Sequence, residues 1–305
     1  MTAIEAGHLV KRFGSVTAVK DVSLSVPDGR IFGFLGPNGA GKTTTMRMLT
    51  GVLTPDAGNV RINGIDIHRH PLDAKMQMGV IPESSTVYGD LTAEQNLHLS
   101  GKMYGMPRGV RDERVSEILS RMGLGEKRHL PVRTFSKGMK QRVSIGCAII
   151  HRPKILFLDE PTSGLDVQSR RLVTDTIRQM NGQGSTVFLT THNIEEANML
   201  CQTVCIINKG EIVAQDSPER LKKMFDTTQS IEVSFDRPVN GDLFTDPGIL
   251  RAELCGDKWR LYTENPDRIL KFIVKEAANR SLGITSLATS GPSLEEAFVH
   301  LTECA

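Results

Sequence analysis

Gly36-Pro-Asn-Gly-Ala-Gly-Lys-Thr-Thr44 is the stretch on which the reading of the whole chain turns. Gly36, Gly41, Lys42 and Thr43 fill the fixed places of G-x-x-x-x-G-K-[ST], with Pro37, Asn38, Gly39 and Ala40 between them. A loop so short of side chains turns its backbone N–H groups inward, forming a concave nest for phosphate oxygens. The N-terminus of a following helix adds partial positive charge at the same place. Lys42 then reaches the β- and γ-phosphates, and the Thr43 hydroxyl, next to Thr44, ligates Mg²⁺. Such a loop needs a strand before it and a helix after it. Ile31-Phe-Gly-Phe-Leu35 supplies the apolar strand, and Thr44-Thr-Met-Arg-Met-Leu-Thr50, stopped by Gly51, supplies the helix. In that setting the loop reads as a nucleoside triphosphate site.

Working outward, Lys154-Ile-Leu-Phe-Leu-Asp159-Glu160-Pro161 is an apolar run that ends in two carboxylates. A continuous apolar run suits a buried parallel strand, and open α/β sheets bind ligands beyond the carboxyl ends of such strands. Two carboxylates at a buried strand end are costly unless a metal or a reaction uses them. Asp159 is suited to hold Mg²⁺ through water, and Glu160 to accept the proton of an attacking water. Thr186-Val-Phe-Leu-Thr-Thr-His192 is a second apolar strand, and its terminal His192 is a γ-phosphate contact if it lies beside the loop. Between loop and carboxylates, Phe135-Ser-Lys-Gly-Met-Lys-Gln-Arg142 runs into an apolar helix, with Ser136 and Gly138 at its N-cap and first turn. That is an anion-binding terminus, although Lys137 there opposes the helix dipole. Either its ammonium reaches solvent or an anion offsets it.

The segments His8–Phe13 and Val22–Val26 read as strands, with the turn Pro27-Asp-Gly29 leading into the loop strand. Phe13 is either a stacking face for an adenine ring or an edge-of-core aromatic. The strand Met78-Gly-Val-Ile81 stops at Pro82-Glu83. From Leu91 to about Met122 the period becomes helical, opening on the capping box Thr92-Ala-Glu-Gln95. A hairpin joins Thr203–Ile207 to Glu211–Gln215. After a charged helix and linker from Pro218 to Gln229 the composition shifts. The tail reads strand 231–235, irregular 236–247, strands 249–255 and 258–263, helix 267–280, strand 284–289 and helix 293–302 opening at Pro292-Ser293. Leu294, Phe298 and Leu301 give that last helix an apolar stripe, for packing within the tail or for assembly.

Hydrophobic content of 39%, charged content of 24% and a formal net charge of +2 are ordinary for a globular protein and demand neither nucleic acid nor an anionic membrane. No apolar run approaches the roughly 18 residues of a spanning helix, and the first residues lack the form of a signal peptide. The five cysteines are scattered and odd in number, which argues against a disulfide framework; Cys201 and Cys205 read as small buried hydrophobes. The expectation is a cytoplasmic protein.

The order of these motifs resembles that of the nucleotide-binding subunit of an ATP-binding cassette (ABC) transporter, over roughly residues 3–225. Gly36–Thr43 is similar to its Walker A loop, Ile155–Glu160 to Walker B with the catalytic glutamate, and Ser163-Gly-Leu-Asp166 to the D-loop. Phe135–Met139 is similar to the signature motif, His192 to the switch histidine and Phe13 to the adenine-stacking aromatic. Pro82-Glu83 stands where the Q-loop belongs. Two departures stand out: Lys137 and Met139 replace the usual glycine and glutamine of the signature, and Glu83 replaces the Q-loop glutamine. The tail resembles that of the drug- and sodium-export branch.

The resemblance implies a P-loop NTPase core with an N-terminal antiparallel β subdomain and a helical subdomain at about 84–150. A boundary at 225/226 would separate this ATP-binding domain from a small C-terminal α+β domain. It implies ATP and Mg²⁺, with Thr43, Asp159 and Glu83 toward the metal and Lys42, Glu160 and His192 in catalysis. It implies a second ATP-binding subunit whose signature Ser136 and Gly138 close over the nucleotide, a separately encoded membrane permease, and a place on the inner face of the cell membrane. The function expected is ATP hydrolysis that powers export; the alternative is a soluble ATPase acting on nucleic acid or ribosomes.

Overall fold

The structure is a computed structural model that describes residues 1–83, 87–223, 229–290 and 294–303. The chain forms two compact units, Met1–Ser217 and Pro218–Cys304. The division falls before the short helix that opens at Pro218, not at 225/226.

In the first unit, β1 (Thr2–Phe13) and β2 (Val16–Pro27) form a long antiparallel hairpin, and β3 (Ile31–Leu35) leads into the phosphate loop and α1 (Lys42–Leu49). β4 (Ala57–Ile62) and β5 (Ile65–Asp66) complete a four-stranded sheet in the order β2-β1-β4-β5. Their tight turn uses Asn63 and Gly64, both at positive φ (48° and 79°), which matches a hairpin's twist. α2 (Pro71–Met76) precedes β6 (Met78–Ile81). The helical stretch is then α3 (Ala93–Met103) and α4 (Arg108–Arg121), broken at Gly105–Pro107, followed by α5 (Lys137–Ile149). Thr92 and Gln95 form the full reciprocal capping box at the start of α3.

β7 (Ile155–Asp159), α6 (Val167–Gly182), β8 (Thr186–Thr191), α7 (Ile194–Leu200), β9 (Thr203–Asn208) and β10 (Glu211–Asp216) finish the unit. The second sheet runs β10-β9-β3-β8-β7-β6. β9, β3, β8, β7 and β6 pair in parallel and β10 is antiparallel at the edge. Because β3, β7 and β8 are buried at every residue, they carry apolar side chains on both faces. Phe188 sits at their centre, its ring 5.6 Å from each of Phe32, Phe34 and Phe157. Cys201 and Cys205 are buried and burial pushes both thiols up, as expected of small hydrophobes; Cys147 is pushed up to about 11.

The second unit begins with α8 (Pro218–Lys223) and continues through β11 (Gln229–Phe235), β12 (Arg251–Cys255), β13 (Lys258–Thr263), α9 (Pro266–Asn279), β14 (Ile284–Ser290) and α10 (Leu294–Glu303). The sheet is antiparallel in the order β12-β13-β11-β14. The 236–247 stretch contains a 3-10 turn at Gly241–Leu243. Pro292-Ser293, expected to open the last helix, lie outside the described residues.

Candidate nucleotide site

Parallel strands end on the same side of a sheet, so four separate segments of sequence converge at one edge. β3 delivers the loop, β7 delivers Asp159-Glu160, β8 delivers Thr190, Thr191 and His192, and β6 delivers Pro82-Glu83. A cavity of about 450 Å³ opens there, lined by Asn38, Lys42, Thr43, Glu83, Glu160 and His192, among others. A second cavity of about 660 Å³ shares Thr43, Glu83 and Ser163 with the first and reaches Arg47, Lys137 and Asp159.

The loop is tight at its first and last glycines, Gly36 and Gly41. A Cβ at Gly36 would collide with the Ile207 carbonyl, and Gly41 takes φ 107° at the N-cap of α1. Lys42 is buried, and its Nζ donates to the Gly36 carbonyl (2.7 Å) and the Pro37 carbonyl (3.2 Å) and lies 3.6 Å from Glu160 Oε1. The ammonium thus closes over the loop that a phosphate would enter.

Asp159 is 1% exposed, and its Oδ1 accepts from Thr43 Oγ1 at 3.3 Å and, in a short hydrogen bond, from Thr190 Oγ1. Two hydroxyls therefore satisfy that one oxygen of the carboxylate. The next residue, Glu160, adopts φ 50°, an uncommon conformation for a residue with a Cβ. Its N–H donates to the Thr190 carbonyl at 3.1 Å, which fixes the turn. The reversal swings the Glu160 carboxylate out of the sheet and into the cavity. There Oε2 lies 2.8 Å from Nδ1 of the exposed His192. Strain of this kind is held where the surroundings over-determine it, commonly at functional sites.

Ser136 is the N-cap of α5, accepting from Met139 N at 3.3 Å, and Gly138 lies in its first turn against α6, where a Cβ would collide with Ser169 Oγ. Neither residue lines the Lys42 cavity of its own chain. Phe13 also lies outside that cavity's lining; it is 52% exposed at the end of β1, with Lys11 Nζ 5.8 Å from its ring centre, so it is no edge-of-core residue. Asp166 of the Ser163–Asp166 segment caps α6, and the Ser169 N–H holds its carboxyl below the usual range.

Several supports escaped sequence reasoning. Thr190, which orients Asp159, reads as one more β-branched strand residue. Gln141 Nε2 donates to the Pro161 carbonyl at 3.2 Å, tying α5 to the turn after Glu160. Glu196 is buried beneath the same turn, accepting from Thr162 Oγ1 at 2.8 Å, and burial pushes its carboxyl up. Its spacing from Asn193 signals only a helix cap, which it also is.

Residues 19–163 match the family model described as ABC transporter. The chain is 34% identical to the linearmycin resistance ATP-binding protein LnrL of Bacillus subtilis (strain 168), over 98% of both chains. It is 36% identical to the Nod factor export ATP-binding protein I of Ralstonia nicotianae, over 96% of this chain and 92% of that one. A solved structure of an ATP-binding subunit of an ABC transporter superposes with a TM-score of 0.69 at 29% identity, covering 73% of this chain and 93% of the other. The fold and site define a P-loop ATPase. The chain belongs to the ATP-binding proteins of the ABC transporter family, and it binds and hydrolyses ATP.

Proposed function

We propose that this chain powers export through a separately encoded membrane permease, as one of two ATP-binding subunits that close over ATP. The observation that supports this reading best is the convergence of Lys42, Asp159, Glu160 and His192 on one cavity at the ends of three strands. The names of the relatives, one an export protein and one a resistance protein, favour outward transport over action on nucleic acid.

The mechanism follows from the contacts. An incoming triphosphate takes the place of the Gly36 and Pro37 carbonyls as partner to Lys42. Glu160, freed of Lys42, accepts the proton of the attacking water, while His192 holds the carboxylate from its other oxygen. Backbone N–H groups of Asn38 to Thr44 and the Lys42 ammonium stabilise charge on the transferring phosphoryl group. Thr43 Oγ1 and Asp159 Oδ1 are hard oxygens already side by side, the small protein share of ligands that Mg²⁺ prefers when phosphates and waters supply the rest. Glu83 is a third oxygen donor at the same cavity. Bound there, Mg²⁺ would screen the β- and γ-phosphate charge. Phe13 offers its exposed ring to the adenine. Ser136 and Gly138, absent from the lining of their own chain's Lys42 cavity, complete the site of a second subunit.

Among the described residues no helix is long and apolar enough to cross a membrane, so the membrane-spanning part belongs to the partner in this reading. A tagged chain recovered from detergent-solubilised membranes tests it. Co-purification of a polytopic membrane protein is expected; recovery of RNA or ribosomal protein in its place overturns the export reading.

A further inference from the structure

We infer that Glu196 is a positioning residue for hydrolysis: its buried carboxyl ties the turn that carries Glu160 to the strand end that carries His192. The inference rests on the roles of Glu160 and His192 proposed above and deepens them. Thr162 stands two residues after Glu160, and Thr191 stands immediately before His192. Glu196 Oε1 accepts from Thr162 Oγ1 at 2.8 Å, and the Thr191 side chain hydrogen-bonds the same carboxyl. One side chain of α7 therefore clasps the ends of β7 and β8 together. Beside that clasp, Glu160 Oε2 meets His192 Nδ1 at 2.8 Å.

The ordinary role of a glutamate at this place in a helix is different. Glu196 is the third residue of α7, which opens at its N-cap Asn193. From there a glutamate commonly reaches back to the N-cap N–H and closes a capping box. Here the Asn193 N–H donates to Thr191 Oγ1 at 2.9 Å, while Asn193 Oδ1 accepts from the Glu196 N–H at 2.9 Å. The helix start is satisfied without the Glu196 carboxyl, which turns to the Glu160 segment. At 7% exposure that carboxyl is costly to bury without such partners. Gln141 holds the Pro161 carbonyl from α5, so the turn is gripped from two helices. Glu160 needs the grip, because at φ 50° it holds a strained conformation that persists only where the surroundings over-determine it. With the clasp gone the turn relaxes, and the Glu160 carboxylate leaves the place where it meets His192 and the attacking water. A misplacement of about 1 Å costs on the order of 10²-fold in rate. Thr162 and Glu196 lie outside the lining of the Lys42 cavity, so nucleotide affinity does not depend on them.

Phosphate release at saturating ATP and displacement of a fluorescent ATP analogue, both on the full-length chain, test the assignment. Glu196→Ala is expected to lower kcat by about tenfold or more, with affinity within about twofold of the parent. Glu196→Gln keeps an oxygen that accepts from Thr162 and should restore most of the rate. Thr162→Val removes the donor from the other side and should lower kcat in the same way. It carries the test if thermal melts show that Glu196→Ala does not fold. Because Glu196 acts through Glu160, adding Glu196→Ala to Glu160→Gln should lower the residual rate by less than about twofold. An unchanged kcat, affinity lost in step with rate, a Glu196→Gln no faster than Glu196→Ala, or a full further loss on top of Glu160→Gln would each overturn the inference. A Glu160→Gln variant that turns over at the parent rate would instead overturn the reading of Glu160 on which the clasp depends.

Discussion

The two units solve the problem of a sheet in opposite ways. The central strands of the first are buried on both faces and mostly apolar, and their charged residues stand only at or just beyond their carboxyl ends. The strands of the second alternate. Ile231, Val233 and Leu261 form a core with Ile269 and Ile273 of α9, while Glu232 and Arg260 pair at 2.6 Å on the other face. A sheet buried on both sides has nowhere to put polar groups except its ends, so its chemistry is concentrated in one row. A sheet with one open face spreads its charges along the strands, where they are solvated and shared. Of the described non-glycine residues at positive φ in the first unit, Glu160 is the one that lines the nucleotide cavity, the others being His8, Asp21, Asn63, Arg152 and Lys209; in the second unit Ser281 takes positive φ.

The sharpest break in that contrast is Glu160→Gln. It keeps the shape of the strand end and removes the basicity, so turnover should fall by about 10²–10⁴-fold while ATP still binds. Phosphate release and nucleotide affinity, measured on the same preparation, check both halves. With hydrolysis blocked, an ATP-dependent dimer should accumulate on gel filtration. A variant that turns over at the parent rate would remove Glu160 from catalysis.

Phe188→Ala tests the double-sided core itself. The ring meets three others at 5.6 Å and is fully buried, so its loss leaves a cavity that costs about 3–5 kcal/mol. Denaturant unfolding should show the loss in the transition that follows nucleotide release. A destabilisation below about 1 kcal/mol would mean that the sheet repacks around the gap.

A pH effect distinguishes the units in another way. His151 stacks on Tyr104, with ring centres 3.5 Å apart, and burial lowers its imidazole from 6.5 to about 4. Its folded-state value lies below the unfolded one, so the neutral ring's contribution is complete above about 6.5 and is lost as pH falls toward 4. His151→Phe keeps the stack and removes the titration. The melting temperature of the parent should drop relative to the variant across that window, by an amount equivalent to roughly 2 kcal/mol after allowance for the ring's partial exposure. In the second unit, Arg260 is held above its ordinary value by Glu232, so it keeps its charge through the same range. Parallel curves for parent and variant would show that His151 titrates with its neighbours' help and stores nothing.

What could be read from sequence follows the same logic. The loop, the Asp159-Glu160 strand end and His192 were legible because parallel strands make long apolar runs that end abruptly. Even the convergence of these pieces was implied by the C-terminal edge of such a sheet. The hydroxyl supports were not legible: Thr190 and Thr43 become partners of Asp159 only through strand pairing and helix placement, across 31 and 116 residues of chain. Strand lengths at the N-terminus also escaped, since β1 and β2 are 12 residues each and their register shifts blur the alternation. The place of Lys137 over Gly164 depends on α5 packing against the turn before α6, which no local pattern reports.

The smallest expected effect lies in removing the second unit altogether. Ending the chain after Ser217 follows the division of the structure and leaves every side chain of the nucleotide cavity in place. ATP affinity should therefore stay within about twofold of the parent, the scatter expected of independent regions. The assembly-facing reading of the tail helix is weakened at one of its three positions: Leu294 is 2% exposed and so already committed to packing, while Phe298 and Leu301 are half-buried. Any contribution to assembly must come from the residues still open, such as Val299 at 40% exposure, and is correspondingly modest. The expected result is unchanged nucleotide binding with a weaker ATP-dependent dimer when the truncation is combined with Glu160→Gln. If ATP affinity falls with the truncation, the two units share an energetic connection and the contrast between them no longer holds. If the dimer forms as readily as before, the tail takes no part in bringing the subunits together.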